Sequence, residues 1–139
     1  MKKILVLFTA ALALLVTTAA SAQTTIRVRT NIPFSFVVNR ATLPPGEYSL
    51  ESADSLGQVL MISGLNSKSK NLVITRASRS TTVAANTKLI FHRYGDSYFL
   101  NEIWVAGNDT GHELPASPRE KEVAKDFSME NVVLVAVKR

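Results

Sequence analysis

Ile26-Arg27-Val28-Arg29-Thr30-Asn31-Ile32-Pro33-Phe34-Ser35-Phe36-Val37-Val38 holds the clearest periodicity in the chain. Ile26, Val28, Thr30, Ile32, Phe34, Phe36 and Val38 fall on one phase of a period-two pattern. Arg27, Arg29, Asn31, Pro33 and Ser35 fall on the other, with Val37 the one apolar exception. Side chains alternate across a strand, so the stretch reads as a half-buried strand, or as two strands broken near Pro33. Proline cannot donate to a ladder, which makes this strand an edge or bends it there.

Further strands follow between turn signals. Asn39 to Gly46 reads as a connection whose Pro45-Gly46 suits the centre of a type II turn. Glu47 to Glu51 alternates with Tyr48 and Leu50 inward, Asp54 to Gly57 is a turn, and Gln58 to Ser63 is a short strand. Gly64 to Lys70 is a polar loop. Asn71 to Arg79 is one strand with Val73, Thr75 and Ala77 alternating against Leu72 and Ile74, and Ser80 to Thr87 is a loop. Lys88 to Val105 forms a hairpin about Gly95-Asp96, with Arg93 facing Tyr98, His92 facing Phe99 and Leu89 facing Glu102. Gly107 to Gly111 is a turn cluster. Ser117-Pro118-Arg119-Glu120 is a capping box that opens a helix of two to three turns, and Asn131 to Val137 is a last buried strand.

The pattern predicts a mainly β fold: an antiparallel β-sandwich or small barrel of about seven strands with one short helix near the C-terminus. Upstream, Lys2 and Lys3, the apolar run Ile4 to Val16 and the small residues Ala20-Ser21-Ala22 form a secretory signal peptide over residues 1–22 of bacterial appearance. The apolar run would span about 20 Å, short of a hydrocarbon core of about 30 Å. Cleavage before Gln23 leaves one β-rich domain, residues 23–139, exported to the periplasm or secreted, with no membrane span. An outer-membrane barrel is disfavoured by the shortness of the strands.

Composition excludes several classes of function. The net charge of +5 includes the two signal lysines, and the rest are scattered, which gives no nucleic-acid footprint. Zero cysteines rule out disulfides, thiol catalysis and thiolate metal sites.

Several motifs together resemble a group of small exported β-rich proteins abundant in acidobacterial genomes. They are Ile32-Pro33-Phe34-Ser35-Phe36, Leu43-Pro44-Pro45-Gly46-Glu47-Tyr48, the run Leu89 to Leu100 with Trp104, and Glu113-Leu114-Pro115 leading into Ser117 to Glu122. That group has no assigned activity, so the resemblance implies compartment and a shared fold.

Chemistry-bearing residues are sparse. His92 and His112, with Glu113 or Asp109, match no zinc-ligand spacing, and no serine sits in a nucleophile elbow. The carboxylates available to a glycosidase are Glu47, Glu51, Glu102 and Glu113. Glu102 reads instead as the structural partner of Arg93. The sequence thus favours a non-enzymatic exported module, binding or structural, that requires no cofactor or metal and meets an envelope or extracellular protein or glycan. Arg93, Tyr94, Gly95, Asp96 and Tyr98, at the tip of the hairpin, form its candidate surface. The alternatives are a small barrel or sandwich holding an apolar ligand inside, and a hydrolase without a recognised motif. Tyr94, Tyr98 and Trp104 could also present an aromatic platform.

Overall fold

A computed structural model describes residues 26–136; the signal peptide expected over residues 1–22 lies outside them, as do residues 23–25 and the last three. Eleven strands and one helix are present among the described residues. They are β1 (Arg27–Ile32), β2 (Phe36–Val38), β3 (Ala41–Leu43), β4 (Gly46–Ser52), β5 (Val59–Gly64), β6 (Lys70–Ile74), β7 (Arg76–Arg79), β8 (Lys88–Tyr94), β9 (Ser97–Trp104), β10 (Thr110–Glu113) and β11 (Met129–Val135). The helix, α1 (Pro118–Val123), lies between β10 and β11. The strands form two sheets that do not close into a barrel, one of order β1-β4-β5-β6 and one of order β11-β8-β9-β10-β7. The β2–β3 hairpin joins the second sheet through a parallel contact of Val37 with Phe99. The fold is a β-sandwich.

The alternating N-terminal stretch is two strands in two sheets. β1 pairs with β4 at the edge of the first sheet, the chain leaves the ladder at Pro33, and β2 continues in the second sheet. Ile26, Val28, Thr30, Ile32, Phe36 and Val38 are all buried, so one phase supplies the core from both layers. Asn71 to Arg79 divides in the same way. Thr75 separates β6 in the first sheet from β7 in the second, and it is buried with Oγ1 bonded to the Gln58 carbonyl.

Four local expectations change. Asn39-Arg40 is a hairpin loop between β2 and β3, with Asn39 at φ 56°, a conformation asparagine tolerates, and Gly46 opens β4 rather than centring a turn. Gly107 to Gly111 runs into a further strand, β10, and α1 is a single helical segment of six residues. The third change is in the long hairpin, whose tip pairs as the sequence predicts, Arg93 with Tyr98 and His92 with Phe99. Beyond a bulge, however, Ile90 faces Glu102 and Leu89 faces Ile103. Leu100 and Ile103 are three residues apart and both buried, and a strand can place them on one face only by inserting a residue, here Asn101. The last strand is also not buried: β11 is an edge, and Val133 and Val135 are exposed while Val132 and Leu134 lean on the core.

The core between the sheets is filled. Phe36 meets Tyr48 and Phe91 edge-on at 5.1 and 5.8 Å, and Phe34 stacks on Tyr98 at 4.0 Å. On the outer face of the second sheet a smaller cluster forms, where α1 places Val123 against Val37, Tyr94 and Phe99. The helix starts where its cap predicts, since the Ser117 hydroxyl accepts from the Glu120 amide at 3.2 Å.

Candidate functional site

The hairpin tip turns most of its chemistry inward. The Arg93 side chain donates to the Gly95 carbonyl at 2.8 Å, lies 5.5 Å from the Tyr98 ring centre, and reaches Glu130 at 4.0 Å. Tyr98 is half-buried on Phe34, and Tyr94 is buried, with its hydroxyl donating to Glu120 at 3.1 Å. Gly95 and Asp96 stay exposed. Tyr94 and Trp104 therefore present no open aromatic platform, because helix α1 covers the first and Trp104 lies over Gly111.

Glu102 does not meet Arg93. The bulge turns it to the outer face, where it accepts from Trp104 Nε1 at 2.6 Å. The anion that does sit in the interior is Glu120, at the third position of the capping box. Instead of returning to the Ser117 amide, its Oε1 accepts from Tyr94 and lies 2.7 Å from His92 Nδ1. That geometry anchors α1 to β8. The Tyr94 hydroxyl is held above its ordinary pKa by burial and by the neighbouring Glu120 charge.

The two histidines lie on opposite faces of the second sheet, with β9 between their strands. His112 is buried with Nδ1 3.3 Å from Thr75 Oγ1, and burial lowers its pKa against the opposing pull of a backbone hydrogen bond to Gly57 and the Asp54 charge. Among the described residues no group of three histidine, aspartate or glutamate side chains could hold a metal ion, and no helix is long and apolar enough to cross a membrane. The candidate glycosidase carboxylates are partnered elsewhere: Glu51 by Arg27 at 3.8 Å and Glu113 by Arg76 at 3.4 Å.

A surface depression lies beside β6. It is a cleft of about 340 Å³ between β6 and the segment Leu114 to Pro118, floored by Val37, Val73, Phe99 and Leu100 and bordered by Glu120. Its β6 wall is a free sheet edge, since among the described residues β6 pairs only with β5. The Thr75 amide donates to Gln58 at 2.7 Å, which fixes the alternation of the ladder. Val73 and Asn71 therefore aim their backbone groups at β5, while Lys70, Leu72 and Ile74 aim theirs outward. Leu72 and Ile74 also carry exposed side chains, 61% and 72% accessible.

No family model, curated protein or solved structure matches this chain.

What that geometry offers is a row of unsatisfied backbone donors and acceptors beside an apolar trough. Reasoning from the hairpin tip missed it. The signal was present in the strand Asn71 to Arg79, where both phases are apolar over Leu72-Val73-Ile74, although only one can face a core.

Proposed function

We propose that the protein is an exported binding module that holds an extended segment of a partner polypeptide by strand addition along β6. The free β6 edge beside the apolar cleft carries this reading: main-chain bonds to Lys70, Leu72 and Ile74 would supply affinity, and alternate side chains entering the cleft would supply selectivity. Two of the other edges, β1 and β7, are protected. β1 displays Arg27, Arg29 and Asn31, and β7 is a four-residue strand with an arginine at each end. The filled core weighs toward surface capture over a ligand held between the sheets.

Charge narrows the partner. Residues 64–80 contain Lys68, Lys70, Arg76 and Arg79 and no acidic residue. The favoured segment therefore alternates apolar side chains and carries acidic residues at its flanks. The export pattern at residues 1–22 supports an encounter in the periplasm or outside the cell.

A synthetic peptide of alternating valine and threonine with aspartates at both ends tests the reading by titration calorimetry. It should bind, and its lysine-ended counterpart should bind more weakly. Leu72→Pro removes an outward N–H without touching the β5 ladder, so it should abolish binding and leave the circular-dichroism spectrum unchanged. Equal binding by the variant, or by both peptides, would overturn the proposal.

A further inference from the structure

A second free edge has a different chemistry. Among the described residues β11 pairs only with β8, and the Ala136 amide donates to Thr87 at 2.9 Å. The ladder alternation then sends the backbone groups of Met129, Asn131, Val133 and Val135 outward, away from β8. Met129, Val133 and Val135 are also exposed through their side chains, at 46%, 54% and 52%. An edge of seven residues with no proline and no lysine, and with Asn131 the one polar side chain among Met129, Asn131, Val133 and Val135, lacks the usual protection against pairing.

We propose that β11 pairs antiparallel with the β11 of a second copy of this chain, about a two-fold axis at Val132. In that register Met129 lies opposite Val135, Asn131 opposite Val133, and Glu130 opposite Leu134. All four residues with outward backbone groups are matched, and no like charges face each other. A C2 pair requires this self-complementarity. The β6 clefts, on the other sheet of each copy, remain open in the pair, so the dimer presents two of them.

Sedimentation velocity over a range of concentrations tests the pairing on protein purified from exporting cells. Wild type should sediment at twice the chain mass. Val133→Pro removes an outward N–H and leaves the β8 ladder intact, so it should sediment as a single chain. Val133→Lys, a change of side chain alone at an exposed position, should weaken association by at least about tenfold, from two symmetry-related pairs. The chain is cysteine-free, so Val132→Cys reports the register: the two sulfurs meet at the axis and should form a disulfide dimer under mild oxidation, while Leu72→Cys should not. A wild type that stays at the single-chain mass at every concentration overturns the proposal, as does a dimer that survives both Val133 variants. Leu72→Pro should leave the dimer mass unchanged, which separates this pairing from peptide capture at β6.

Discussion

Trp104 rests on Gly111 so closely that a Cβ on that glycine would come within 2.6 Å of the indole Cδ2. The glycine on β10 thus provides the floor for the large ring on β9, and Gly111→Ala should cost about 1–3 kcal/mol, read as a lower urea midpoint. His112 makes a pH-dependent contribution. Burial lowers its folded pKa below the ordinary 6.5, so the unfolded chain binds the proton more tightly. Stability from this group is complete above about pH 6.5, falls as the pH drops toward the lowered folded value, and is level below it. The difference in urea midpoint between wild type and His112→Gln, followed from pH 8 to 5, should shrink as the solution is acidified; a constant difference would contradict the assignment. Neither feature was legible beforehand. Nothing in the sequence says that Gly111 lies beneath Trp104, because that contact joins two strands across a ladder. The capping box was legible as to Ser117 and not as to Glu120, whose carboxylate had two tertiary partners, His92 and Tyr94, that outcompete the local amide.

Strand phases were readable because the period of two is a local property, and Ile26 to Val38 follow it except at Phe34, half-buried on the inward phase, and Val37, buried on the other. Strand limits were readable where glycine, proline or aspartate marks a turn, as at Gly95-Asp96, and not where the chain passes between sheets without a break in pattern. Thr75 is such a place: its side chain stays buried on the same phase while the backbone changes partners from β5 to β10. The additional strands β2, β3, β7 and β10 arise from these divisions and from short turns. At the helix, the Ser117 cap fixes where α1 begins, and α1 in turn covers Val37, Tyr94 and Phe99. Ser117→Ala should therefore destabilise the protein by about 1 kcal/mol, measured by chemical denaturation, with faster amide exchange at Glu120. An unchanged midpoint would show that packing of Val123 alone holds the helix.

Across the molecule, two sheets of unequal size leave an apolar cleft beside β6 and unprotected edges at β6 and β11. Export is the remaining expectation at this scale. Protein recovered from a cell envelope or medium should begin at Gln23 by N-terminal sequencing, and a start at Met1 in a cytosolic fraction would refute cleavage. The sequence by itself determined which side chains face inward, where the tight turns and the helix start fall, and that no thiol chemistry is available, because alternation, turn conformation and composition are set within a few residues. The tertiary structure alone decided which strands are neighbours, where the ladder inserts Asn101, which edges stay open and where the cleft lies. Those outcomes depend on backbone hydrogen bonds between segments far apart in the chain, and backbone groups are the same at nearly every residue, so the sequence carries little record of which will pair.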